Sequence, residues 1–169
     1  LSVIRICFLG MAIENQTMLA KCSYGPYARA MVRICKEEGF HNRQGYDIMA
    51  TLMKGNSAQK KMAQDAMDRW WWPALMMFGP PDSDSPNSRD LTRYKIKLQS
   101  NDTLRQRFID RTIPQANAIG LFVPDPVLKY NARTRHYETG PISWDEFYRV
   151  VGGNGPCNKE RMKARISAH

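Results

Sequence analysis

No apolar run in this 169-residue chain approaches the roughly 18–20 residues that a membrane span requires, and mean hydropathy is −0.53. A membrane role is therefore not expected. Nor is there a Walker loop, a Gly-x-Gly-x-x-Gly turn, a Gly-x-Ser-x-Gly elbow or a His-Glu-x-x-His helix, which removes the commonest nucleotide, hydrolase and zinc-peptidase signatures. The cysteines, Cys7, Cys22, Cys35 and Cys157, include no Cys-x-x-Cys pair and fit no zinc ribbon or finger. They read as buried thiols in a reducing cytosol. Acidic residues are in short supply, 16 against 25 basic ones, for a net charge of +9. The excess is spread along the chain, whereas nucleic-acid binders concentrate it on one face or tail, so no nucleic-acid partner is expected. Low-complexity tracts and solenoid-period repeats are missing too.

What remains, 43% apolar and 24% charged residues, suits a single globular domain with a core of its own. The opening Leu1 to Gly10 is apolar but lacks the basic flank and cleavage site of a signal peptide. It reads as the interior of a helix cut open. Glu160 to His169 stops inside a charged helical pattern, so both ends read as breaks in a longer chain.

Between them the periodicity is mostly helical. A first helix is expected up to Leu19, with Ile4, Cys7, Phe8, Met11 and Met18 on one face. Pro26 suits the first turn of a second, from Tyr27 to about Arg43, ended by Gly45. A short helical turn follows over Asp47 to Met53. Ser57 is the expected N-cap of a third long helix, with Met62, Ala66, Trp70 and Leu75 or a neighbour on its inner face and a kink at Pro73. Gly79 to Ser88 is a loop. Further helices are expected over Arg89 to Gln99 and from Asn101 or Asp102 to about Ile113, with Pro114 near a break. Val127 to Tyr130 and His136 to Tyr137 are placed to pair as a small hairpin. Ser143 caps a helix to Val151, Gly152 to Pro156 breaks it, and a last helix begins near Asn158.

The sharpest chemical signal is Glu37-Glu38-Gly39-Phe40-His41. Glu38 and His41 stand one helical turn apart on one face, the Glu-x-x-His ligand pair of carboxylate-bridged di-iron and di-manganese bundles. On spacing alone a surface or hydrogen-bonded pair is the competing reading. Because the pair continues the stripe of Ala30, Met31 and Ile34, it is expected to face the core, where a charged pair needs a metal or counter-ion. No second Glu-x-x-His exists in the chain, so at least half of any such site comes from residues not present here. Trp70-Trp71-Trp72 with Met76, Met77 and Phe78 reads as helix packing or a subunit interface. Lys159, Arg161, Lys163 and Arg165 read as a solvated helix face or a phosphate-binding stretch.

Longer runs carry more information. Ser23 to Val32, Ile34 to Glu38, Phe40-His41, Arg43 to Gly45, Trp71 to Pro80 and Ser85 to Ser88 resemble the catalytic A subunits of ring-1,2-phenylacetyl-CoA epoxidases. So do Lys95 to Lys97, Asn101-Asp102, Leu104 to Gln106, Val123 to Pro126, Glu146-Phe147, Cys157-Asn158 and Glu160-Arg161, and the likeness covers about residues 10–169.

The resemblance implies a mainly α, ferritin-like helical bundle, truncated to its second half plus a C-terminal extension with a small hairpin. Residues 1–78 would be bundle helices with half a metal site, and 79–169 the loop, helices and extension of the same domain. It further implies a cytoplasmic multicomponent monooxygenase of phenylacetate catabolism that epoxidises the ring of phenylacetyl-CoA with O2. Electrons would come from NADPH through a separate reductase, and a non-catalytic paralogous subunit would bind the chain. Glu38 and His41 would be ligands of a di-iron pair, with Glu37 beside them. Lys159, Arg161 and Lys163 are candidates for the CoA phosphates. Two departures stand out. Gly39 replaces the family's usual Ser, and the family's spacing puts an Asp, itself a ligand, where Leu9 stands; Glu14 is the nearest carboxylate. The piece alone is therefore expected to be inactive, and the alternative reading is a metal-free scaffold homologue of the complex.

Overall fold

The computed structural model describes residues 10–155, 158–160 and 163. Its order is α1 (Gly10–Leu19), α2 (Gly25–Lys54), α3 (Ser57–Met76), a 3-10 turn (Asp82–Asp84), α4 (Ser88–Arg93), α5 (Asn101–Ala118), β1 (Lys129–Asn131), β2 (His136–Glu138) and α6 (Trp144–Arg149). A π-type turn over Val150–Asn154 follows. The architecture is mainly helical, as expected, with one small antiparallel hairpin, Tyr130 opposite Tyr137.

Helix α2 begins with Pro26 in its first turn, as expected, but does not end at Gly45. It runs on to Lys54 and absorbs the turn expected at Asp47 to Met53. An interior glycine costs a helix about 1 kcal/mol against alanine. Here Gly45 is buried in line with Met31 and Met49, and packing on that face outweighs propensity. The next helix is capped by Asn56 rather than Ser57: the Asn56 side chain accepts from the Gln59 N–H, and the Gln59 side chain accepts from the Asn56 N–H.

Helix α3 continues through Pro73 to Met76. Leu75 is buried as expected, but further back the inner face is displaced by one residue from the expected stripe: Ala63, Met67 and Trp71 are buried, and Met62 is exposed. Trp71 stacks on Phe108 of α5 at 6.0 Å between ring centroids, and Phe78 meets the same ring at 5.6 Å. Met49 of α2, Leu75, Ile109, Ile113 and Leu121 complete this core.

Helix α4 is shorter than expected. Lys95 adopts a left-handed conformation (φ 55°), and the Ile96 and Lys97 N–H groups both close on the Leu91 carbonyl, which seals the helix end. Helix α5 starts at a Ser100 cap and passes Pro114, the expected break, because Thr112, Ile113 and Ala116 stay buried around it. It ends at Ala118, and the chain turns at Gly120 (φ 79°), where the Leu121 N–H returns to the Ala116 carbonyl. The hairpin docks on α5 through Asp110, which meets His136 Nδ1 at 2.6 Å and accepts from the Tyr137 N–H. Ser143 precedes α6 without a side-chain cap, and α6 stops at Arg149, short of Val151. Cys22 is buried and Cys35 half-buried, both free thiols; Cys7 and Cys157 lie outside the described residues, as does the stripe of Ile4, Cys7 and Phe8.

Asp82 ties the loop to α5. It accepts from Lys97 Nζ (3.0 Å), Ser88 Oγ (2.8 Å) and the Asn101 N–H (3.2 Å). Burial raises its carboxyl, but the Lys97 and Ser88 hydrogen bonds, the Asn101 N–H and the Lys97 charge outweigh that and hold it below the ordinary 3.8. A lowered carboxylate contributes stability fully above its unfolded value and loses it as pH falls through the folded one. Asp82→Asn is therefore expected to cost about 1–2 kcal/mol at pH 7, a difference that shrinks below about pH 4. Denaturant unfolding of both chains across pH checks it.

Candidate metal half-site

Glu37, Glu38 and His41 all sit on α2, and the helix separates them. The Glu38 side chain is 22% exposed, and its Oε2 is buried with no hydrogen-bond partner. His41 Nδ1 stands 3.8 Å from that oxygen, too far for a hydrogen bond, and its ring is 44% exposed. Glu38 is therefore the inner member and His41 lies at the edge, against Phe40 at 6.1 Å between rings. Glu37 faces solvent, where Arg33 Nε donates to it at 3.1 Å.

An unsatisfied carboxylate oxygen is costly to bury. One turn away stands an imidazole within reach of the same cation, so an oxygen and a nitrogen donor fit one side of an iron site. Among the described residues no third His, Cys, Asp or Glu joins them in a group able to hold a metal. Glu14 does not: its Oε1 accepts from Arg111 Nη1 at 2.8 Å. Arg111, on α5, also donates from Nη2 to the Gly10 carbonyl at 2.8 Å. No local pattern in the sequence points to this cross-link, which joins residues far apart in the chain. Leu9 lies outside the described residues.

Gly39 sits beside the pair, with open space where a Cβ would project. Nothing described requires glycine there, so Gly39→Ala should raise stability by about 0.5–1 kcal/mol, roughly 1–4 °C in Tm, by thermal unfolding.

Lys159 and Lys163 are exposed, and Arg161 lies outside the described residues. Lys159 borders a shallow depression of about 330 Å³ with Asn154, Asn158 and Glu160. No described contact links these lysines to Glu38 or His41. Of the tryptophans, Trp71 is core, and Trp72 donates from Nε1 to the Pro124 carbonyl at 3.1 Å. No helix of the described residues is long and apolar enough to cross a membrane.

Fold and site together define a mainly helical protein whose longest helix carries a carboxylate–imidazole pair, Glu38 toward the inside and His41 at the edge. The chain belongs to the family described as phenylacetic acid catabolic protein, whose model matches residues 1–169. It is 55% identical over 159 residues to the A subunit of 1,2-phenylacetyl-CoA epoxidase from Escherichia coli (strain K12), a match covering 94% of this chain and 52% of that protein. The chain thus spans about half the length of the curated relative it matches.

Proposed function

We propose that this chain is part of the catalytic subunit of a cytoplasmic, multicomponent di-iron monooxygenase that epoxidises the aromatic ring of phenylacetyl-CoA. The observation that carries the reading is the buried Oε2 of Glu38, which has no hydrogen-bond partner and faces His41 Nδ1 at 3.8 Å one turn away, in a chain 55% identical to the epoxidase's A subunit from Escherichia coli. Glu38 and His41 would hold one side of the metal pair, within a ferritin-like bundle whose other ligands come from polypeptide beyond these residues. When bound, the iron supplies O2 activation with electrons relayed from NADPH by a separate reductase.

The chain's own residues orient and shield. Helix α2 fixes the carboxylate and imidazole one turn apart. Helices α1 and α5 close against α2 at Gly10, where an added Cβ would meet Phe108 and Arg111 at 3.2 Å and Asn42 at 3.5 Å. Glu37 is held outward by Arg33 and does not touch the pair. Lys159, Arg161 and Lys163 offer charge to the CoA phosphates, and a non-catalytic paralogous subunit completes the assembly.

The test is the full-length polypeptide, co-expressed with its paralogue and given reductase, NADPH and phenylacetyl-CoA. About two irons per chain and NADPH-dependent epoxide are expected. A stable, iron-free complex would replace this reading with a metal-free scaffold.

A further inference from the structure

Gly10 and Asn42 approach each other, with 3.5 Å between an ideal Gly10 Cβ and Asn42 Oδ1. A short link, residues 20–24, joins α1 to α2, so the two helices run antiparallel. Each rises about 1.5 Å per residue, so one turn forward from Gly10 and one turn back from Asn42 bring Glu14 and Glu38 to the same tier. Both carboxylates are largely buried, at 17% and 22% exposure. Two like charges on one tier of adjacent helices repel unless something holds them apart.

Arg111 does that. Its Nη1 holds Glu14 Oε1 and its Nη2 the Gly10 carbonyl, both at 2.8 Å, so one guanidinium pins two turns of α1. Its Nε is buried with no hydrogen-bond partner, so the α1 contacts fix its pose. Without the guanidinium, Glu14 would carry a free carboxylate on the tier of Glu38, and carboxylate oxygens are good ligands for iron.

We propose that Arg111 is a positioning residue for the Glu38–His41 half-site, holding the Glu14 carboxylate out of the metal's coordination. This rests on the metal reading above. The test uses the full-length polypeptide loaded with 57Fe and read by iron content and Mössbauer spectrum. Arg111→Gln is expected to give a new quadrupole doublet for most of its iron. Glu14→Gln alone should keep the parent spectrum and iron content, and Arg111→Gln with Glu14→Gln should return to it, as should Arg111→Lys. A role limited to packing α1 would leave the double variant as defective as the single one, and that result overturns the proposal. So does an Arg111→Gln spectrum identical to the parent's, or loss of iron in Glu14→Gln. Should Arg111→Gln fail to fold, the double variant and Glu14→Gln decide on the same criteria. A parent without iron overturns the half-site and this inference together, whereas an iron-loaded parent with an unmoved Arg111→Gln spectrum overturns this inference alone.

Discussion

Replacing Glu38 or His41 with alanine in the full-length polypeptide is expected to remove iron and epoxidation together while leaving the fold standing. Each substitution deletes a donor atom, and since losing even an outlying partner of a metal ligand costs about 10–100-fold in affinity or activity, losing a ligand should cost on the order of 100-fold or more. The stability effect has the opposite character. Glu38 Oε2 is buried without a hydrogen-bond partner, so metal-free Glu38→Ala loses no satisfied bond and sheds a desolvation penalty. Its metal-free Tm should equal or exceed the parent's. His41 is 44% exposed, and its alanine variant should fall within about 0.5 kcal/mol of the metal-free parent, as surface changes do. Glu37→Ala is the control: it breaks one exposed pair with Arg33 and should leave iron and turnover at parental levels. Iron per chain, epoxide formed and metal-free Tm, measured side by side, check all three. Parental turnover in Glu38→Ala would end its assignment as a ligand, and a Tm fall of many degrees would make it a structural residue.

The contrast between Glu37 and Glu38 marks what sequence could decide. Helical periodicity put Glu38 and His41 on one face and turned that face inward. It did not see that His41 sits at the edge, because an exposure gradient across one turn depends on what α1 and α5 cover. Element types were legible nearly throughout, including the small hairpin and the Pro26 start. Boundaries failed where packing overruled local chemistry. Gly45 and Pro114 both look like stops, and both lie inside helices because Met31 and Met49 on α2, and Ile113 and Ala116 on α5, are buried around them. The reverse happened at Lys95, a residue with ordinary helix propensity that turns left-handed. The backbone of Tyr94 and Lys95 is engaged there by Ser23, a contact no local pattern could announce. The Arg111 link to Glu14 was invisible for the same reason.

The three adjacent tryptophans posed the same problem in its hardest form, and they carry the largest expected stability effect. Trp70, Trp71 and Trp72 point about 100° apart around α3, so only one can face the core squarely. The apolar spacing favoured Trp70, but Trp71 is fully buried, and Trp70 and Trp72 are partly so. Trp71→Ala would empty the space stacked on Phe108, at a cost of about 3–5 kcal/mol. For a domain this size that is roughly 6–20 °C of Tm at about 2–4 °C per kcal/mol. Trp71→Phe should behave differently. The indole Nε1 is buried without a hydrogen-bond partner, so phenylalanine removes an unsatisfied donor while keeping an aromatic face against Phe108. Relief of that donor offsets part of the smaller cavity, and the net loss should stay under about 1.5 kcal/mol. Trp72→Phe would instead lose a made bond to the Pro124 carbonyl, about 1 kcal/mol. Denaturant unfolding of the three variants gives the order directly. Trp71→Ala within about 1 kcal/mol of the parent would mean that α3 does not pack on α5 through this ring, because no surface tryptophan or relaxed pocket accounts for so small a loss at a fully buried position.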